Sequence, residues 1–215
     1  HGHSTLMMDT LKWLKDQFAG LEVIAGNLAT PDAAIDLIEA GADAIKVGIG
    51  PGSMCTTRII TGAGVPQLTA IALCAEAAES YGVPIIADGG IRTSGDMVKA
   101  FAAGANVIML GSMLSGTIET PGDIIHGKKQ YRGMASKKAQ ISWRGDLPQG
   151  MAPEGESTFV PVKGHVADVI HELSGGIRSG MSYVNATTID EIKLQTQFME
   201  MSTNGISESR AHGVQ

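Results

Sequence analysis

Four short apolar runs punctuate the first half of the chain, each closed by glycine or a polar cluster: Leu21–Ala25, Ala44–Val47, Pro84–Ala87 and Val107–Leu110. The stretches between them read as helices. Thr5–Phe18 places Leu6, Trp13, Leu14 and Phe18 at helical spacing. Thr30–Ala40 opens Thr-Pro-Asp, an N-cap followed by proline at the first helical position. Gln67–Tyr81 is alanine-rich, and Thr93–Ala103 stops at Gly104, a suitable C-cap. Continuous apolar strands alternating with amphipathic helices predict a parallel sheet covered by helices.

The strand–helix period is short and regular, which favours an α/β fold of the TIM (β/α)8 barrel type over an open sheet. Four units are half of such a barrel. The expectation is therefore that the chain covers about the last four βα units, plus a flap and a C-terminal tail. The first residue is not Met and falls in what reads as a loop, which agrees with a truncated chain. Half a barrel leaves two open sheet edges and needs its other half for stability.

After Gly116 the pattern changes. Thr117–Glu156 reads as a long loop with scattered Pro, Gly, Lys and Gln, and loops of that length are usually functional or disordered. Helices are predicted at His165–Leu173 and Ile189–Phe198, followed by a polar, irregular tail from Thr203. The expected organisation is one catalytic domain fragment over 1–215. Residues 1–116 form the barrel units, 117–160 the active-site loop and flap, and 161–215 the terminal helices and tail.

Bulk properties narrow the function classes. The chain has 215 residues, 43% hydrophobic and 18% charged, enough for one sizeable core. A formal charge of −6 argues against a nucleic-acid surface. No apolar run reaches the roughly 18 residues that a membrane span needs, and the opening His-Gly-His-Ser is no signal peptide. Cys55 and Cys74 make no disulfide framework, so the cytoplasm is the expected compartment.

Barrel enzymes carry their sites on the loops that follow the strands. Here those loops deliver Gly26-Asn27, the segment Gly48–Arg58, Asp88-Gly89-Gly90, and Gly111-Ser112. A carboxylate such as Asp88 can accept two bonds from a ribose diol. Gly89-Gly90 and Gly111-Ser112 can offer N–H groups and a hydroxyl to a phosphate, or can simply make tight turns. Cys55 sits in a glycine-rich polar loop, two residues before Thr57 and three before the cation Arg58. That setting suits a nucleophile better than a buried filler, the role that fits Cys74. His1 and His3 complete no spaced metal-ligand set.

Several of these segments, taken together, resemble the IMP dehydrogenase/GMP reductase family. They are Ala25-Gly26-Asn27, the Gly48–Arg58 loop, Gly64-Val65-Pro66-Gln67, Ala87–Arg92, Tyr131-Arg132-Gly133-Met134 and Gly175–Gly180. The resemblance implies that Cys55 attacks C2 of a purine nucleotide monophosphate to form a thioimidate, with Thr57 and Glu154 relaying protons. It implies phosphate contacts from Ser53, Gly90, Gly111, Ser112 and Tyr131, a ribose contact from Asp88, and base contacts from Gly133, Met134 and Ala135. His3, Ser4, Asn27, Gly48 and Arg58 would face the nicotinamide of NADPH or NAD. Carbonyls of Gly50, Gly52 and Cys55 would hold a monovalent cation, potassium, completed by Glu208-Ser209 of a neighbouring subunit in a homotetramer.

Two activities share this chemistry. The dehydrogenase oxidises IMP with NAD and water to XMP, and it uses an Arg-Tyr pair on a long flap to activate water. The reductase converts GMP and NADPH to IMP and ammonia. Between Tyr131 and Glu154 there is no Arg-Tyr pair, Arg144 being followed by Gly145, and the stretch is short. Met134-Ala135-Ser136 leans the same way, whereas Gly64–Gln67 and the tail Gly205–His212 resemble the dehydrogenases. The leading expectation is a GMP reductase. The alternatives are an IMP dehydrogenase and, in another class, a non-catalytic nucleotide-binding barrel or inactive fragment.

Overall fold

The computed structural model describes residues 1–147 and 149–211. Strands β1 (Ile24–Leu28), β2 (Ala44–Val47), β3 (Ile85–Asp88) and β4 (Val107–Met109) form one parallel sheet in the order β1-β2-β3-β4. Helix α1 (Thr5–Gln17) precedes the sheet. The crossovers are α2 (Pro31–Glu39), then α3 (Thr57–Ile60) with α4 (Gln67–Glu79), then α5 (Ser94–Ala102).

Each crossover buries one helix stripe on the sheet. Ile45, Val47, Ile85 and Ala87 from the strands meet Leu37, Ile71, Cys74 and Phe101 from the helices, all buried. Alanines on α4 allow close approach, and a Cβ at Gly104 would lie 2.6 Å from that of Ala75. The start of α5 is set by a reciprocal capping box between Thr93 and Asp96. Thr30 holds the N-cap position of α2 by its extended backbone alone, without a side-chain cap bond.

Beyond the sheet lie β5 (Lys128–Arg132), α6 (Lys137–Arg144), β6 (Ser157–Pro161), α7 (Val166–Tyr183), α8 (Ile189–Gln195) and α9 (Thr203–Glu208). Strands β5 and β6 form an antiparallel hairpin, from Lys128 opposite Pro161 to Arg132 opposite Ser157. Among the described residues, no helix is long and apolar enough to cross a membrane.

Four expectations are corrected. The first strand begins at Ile24 rather than Leu21, because the N–H of Val23 is taken by the Asp43 carboxylate at 2.6 Å. The predicted loop Thr117–Glu156 contains β5 and α6; a hairpin built on Lys-Lys-Gln-Tyr-Arg hides its strand pattern among polar residues. The proposed boundary after residue 160 cuts β6, so flap and hairpin are one unit. The tail is not irregular throughout: Ser202 caps α9 through its hydroxyl.

Helix α7 also runs ten residues beyond the Leu173 expected, straight through Gly175-Gly176 to Tyr183. Glycine is a poor helix former by about 1 kcal/mol, but tertiary contact overrides it. A Cβ at Gly176 would fall 2.0 Å from Ser94 Oγ, and one at Gly180 would fall 2.6 Å from a Val98 methyl. One turn apart, the two glycines form the face on which α7 meets α5.

Candidate active site

The loop after β2 carries Cys55. It turns back at Gly52, whose carbonyl accepts the Cys55 N–H at 3.0 Å, and then enters α3 at Thr57. The flap end lies alongside it. Thr56 N–H donates to the Glu154 carbonyl at 3.1 Å, and Glu156 N–H donates to the Met54 carbonyl at 2.8 Å. On its other side the same flap segment binds Gly133–Ser136: Glu154 N–H reaches the Ala135 carbonyl at 3.1 Å and Gly133 N–H reaches the Glu156 carbonyl at 2.9 Å. Residues 154–156 thus lie between the cysteine loop and the segment after β5.

That backbone pairing brings the three expected catalytic side chains together. The Cys55 thiol donates to Thr57 Oγ1 at 3.2 Å, and the Thr57 hydroxyl donates to Glu154 Oε2 at 2.7 Å. All three residues are partly buried. Thr57 can take the thiol proton as it hands its own to the carboxylate, which leaves a thiolate and a neutral acid. Cys74, by contrast, is buried in α4, and desolvation pushes its thiol up to about 12. It stays protonated near neutrality and is no nucleophile.

Two cavities flank the cysteine loop. The first, of about 600 Å3, is lined by His3, Asn27, Gly48, Gly50, Cys55, Thr57 and Glu154, among others. The second, of about 480 Å3, is lined by Ser53, Arg58, Gln67, Gly90, Arg92 and Ser112, with Pro51 and Ile91. Tyr131 stands beside it, with its hydroxyl 3.2 Å from Ser53 Oγ. A Cβ on Gly111 would lie 3.3 Å from that hydroxyl. Ser53, Gly90, Ser112, Tyr131 and Gly111 therefore converge.

Other expected residues have further partners. Arg58 lines the second cavity. Its Nε and Nη2 bind the carbonyls of Ile49 and Val65 at 3.1 and 2.5 Å, and its stem packs on Gly50 and Gly64, so it clamps two loops together. Ser4 caps α1 and gives its hydroxyl to the His1 carbonyl. His3 Nε2 lies 2.7 Å from Asp36 Oδ2. Met134 is exposed beside Gly133 and Ala135. The Gly52 carbonyl, one of the three expected to hold a cation, accepts the Cys55 N–H. Ser209 turns its hydroxyl onto the Gly205 carbonyl within its own helix end.

Asp88 ends β3 and is tied to its neighbours. Its Oδ2 accepts from Lys46 Nζ and, at 3.0 Å, from Asn27 Nδ2. Asn27 also donates to the Gly48 carbonyl at 2.9 Å, so the ends of β1, β2 and β3 are joined through one carboxylate. Lys46 and Gln67 were not expected at the site. Lys46 had a signal, being the only charge in an apolar strand. Gln67, which bonds the carbonyls of Val47 and Asp88, had none beyond its place at a helix start. Arg92 adds a cation to the second cavity.

A profile of the IMP dehydrogenase / GMP reductase domain matches residues 1–212. The chain belongs to this family. It is 50% identical to the inosine-5'-monophosphate dehydrogenase of Halalkalibacterium halodurans, over all of this chain and 46% of the relative. Identity and coverage are the same against the Aquifex aeolicus enzyme of that name. A GMP reductase from Trypanosoma brucei, solved in complex with guanosine 5'-monophosphate, superposes with a TM-score of 0.94 at 47% identity, over 100% of this chain and 46% of that one. The chain spans about half the length of these relatives, and its fold is a partial (β/α)8 barrel.

Proposed function

We propose that the complete protein is an NAD(P)-dependent oxidoreductase that acts at C2 of a purine nucleotide through a thioimidate on Cys55. The observation that carries this reading is the Cys55–Thr57–Glu154 hydrogen-bonded line on the wall of the first cavity. The second cavity, with Ser53, Gly90, Ser112 and the Tyr131 hydroxyl, suits the phosphate of a nucleotide. Asp88 suits its ribose, and Gly133–Ala135 its base. The first cavity is of a size for a nicotinamide and its ribose, with Asn27, Gly48 and His3 on its walls. When bound there, the dinucleotide supplies or accepts hydride at C2. A potassium ion on the Gly50, Gly52 and Cys55 carbonyls would stiffen the cysteine loop, and a homotetramer would bring a second tail to it.

The direction we favour is GMP reduction to IMP and ammonia. In that direction the thiol proton passes by Thr57 to Glu154 as sulfur adds to C2, and Glu154 returns it through Thr57 to the departing amino group as ammonia. The C–S bond forms and the C–N bond breaks with no net proton change. Hydride then replaces sulfur at C2, and the thiolate regains a proton from solvent. The flap supports this direction. Its Arg144 guanidinium lies 4.3 Å over the Trp143 ring, with Met151 Sδ at 4.0 Å, on a helix that ends at Gly145. Among the described residues it pairs with no tyrosine.

The identities to proteins named as IMP dehydrogenases favour the second reading, IMP oxidation with NAD. Full-length protein incubated separately with GMP plus NADPH and with IMP plus NAD decides between them. Absorbance at 340 nm falling in the first mixture is the expected result. Absorbance rising in the second, with none lost in the first, overturns the reductase. Silence in both leaves a nucleotide-binding barrel.

A further inference from the structure

The β5–β6 hairpin that carries Tyr131 is fastened to the loop after β4 by two lysines. Lys129 lies two residues before Tyr131 on β5, so both side chains project from the same face. It is 2% exposed. Its ammonium donates to the Ile118 carbonyl at 2.7 Å and to the Thr120 carbonyl. No carboxylate pairs with it among the described residues. Glu119, between those two carbonyls, turns away to receive Val166 N–H at 2.9 Å and His165 Nδ1 at 3.1 Å at the start of α7. Just beyond β6, Lys163 donates to the carbonyls of Ser112 and Met113, each at 3.2 Å, and its own N–H bonds the Gly116 carbonyl at 2.8 Å.

A buried ammonium without a counter-ion is costly unless something repays it. Here all four ammonium contacts, and the Lys163 N–H bond as well, fall on one stretch, Ser112–Thr120, that begins at the proposed phosphate pocket. A hairpin with two strands is marginal by itself and needs such anchors to hold a side chain in place. We infer that Lys129 and Lys163 are positioning residues for the phosphate pocket: they set the Tyr131 hydroxyl and the Gly111-Ser112 loop at the spacing that a nucleotide phosphate fits. The inference rests on the reading that the second cavity takes that phosphate.

The test uses full-length protein with Lys129→Met, Lys163→Met and Lys163→Arg. GMP, which has the phosphate, and guanosine, which lacks it, are titrated by calorimetry, and steady-state rates are taken with GMP. Each Met variant should weaken GMP binding about tenfold, the loss expected when a charge-assisted contact is misplaced. Guanosine binding should hold, KM should rise with GMP, and kcat should stay within about threefold of wild type. Lys163→Arg should restore GMP binding. Adding Tyr131→Phe to Lys163→Met should cost less than the sum of the two. Lys163 is exposed, so its variants carry the test even if Lys129→Met does not fold. Unchanged GMP affinity in Lys163→Met, or an equal loss for guanosine, overturns the inference. Wild-type protein that binds neither GMP nor IMP overturns the nucleotide reading beneath it as well, an outcome distinct from silent variants of a binding wild type.

Discussion

Thr57→Val is the sharpest probe of the proton line. Valine has nearly the volume of threonine but replaces the hydroxyl with a methyl. It removes both bonds of the line, the thiol contact at 3.2 Å and the carboxylate contact at 2.7 Å. No direct bond joins Cys55 to Glu154, so the carboxylate loses its route to sulfur. The surrounding backbone is left alone. Glu154 stays anchored by its own N–H and carbonyl to Ala135 and Thr56, and the Thr57 carbonyl still accepts from Thr61 at 2.8 Å. Nucleotide affinity should therefore change little. General acid–base relays are worth about 10²–10⁴-fold in rate, or about 2.7–5.5 kcal/mol of barrier. We expect kcat for GMP turnover to fall by about that factor in full-length protein, with KM within about threefold. Thr57→Ser, which restores the hydroxyl, should recover most of the rate. Rapid quench followed by mass spectrometry should show the Cys55 adduct forming slowly in Thr57→Val. The reasoning fails if Thr57→Val turns over at close to the wild-type rate, or if its whole defect lies in KM.

Three further outcomes follow from other parts of the molecule. Iodoacetamide at neutral pH should label Cys55 and spare Cys74, whose burial holds its thiol near 12, and Cys55→Ala should bind nucleotide without turnover; labelling read by peptide mass would show otherwise if Cys74 reacts first. Gly176→Ala puts a methyl 2.4 Å from Ser94 Cβ, so α7 must move off α5; overpacking costs about 1–3 kcal/mol against a helix-propensity gain of about 1, and a melting temperature that rises would refute the close-approach account. Asp43 is held below the usual carboxylate range by its hydrogen bond from Lys15, then by the Val23 N–H. A depressed carboxylate stabilises the fold above its unfolded value and stops doing so as pH falls through its folded value. Asp43→Asn should therefore be less stable than wild type at neutral pH and converge with it in strong acid, and a gap that persists there in urea titrations counts against the pair.

Local pattern alone determined the parallel βα units, the helix starts at Thr30 and Thr93, and the candidacy of Cys55. Each depends on residues within one turn or strand of one another, where periodicity and capping act directly. The hairpin and the full length of α7 escaped that reading. Lys129 is polar in composition yet buried, because its partners are carbonyls eleven and nine residues back. Gly176 sits in a helix against its propensity because Ser94 leaves room for nothing larger. Likewise, Cys55 and Glu154 are a hundred positions apart to the nearest ten, and only the backbone pairing of 154–156 with 54–56 places the carboxylate on Thr57. Which face of the loop Arg58 occupies, and that Lys46 reaches Asp88, were likewise decided by packing between distant segments. Sequence local to a residue sets its backbone; the partners of its side chain come from elsewhere in the chain.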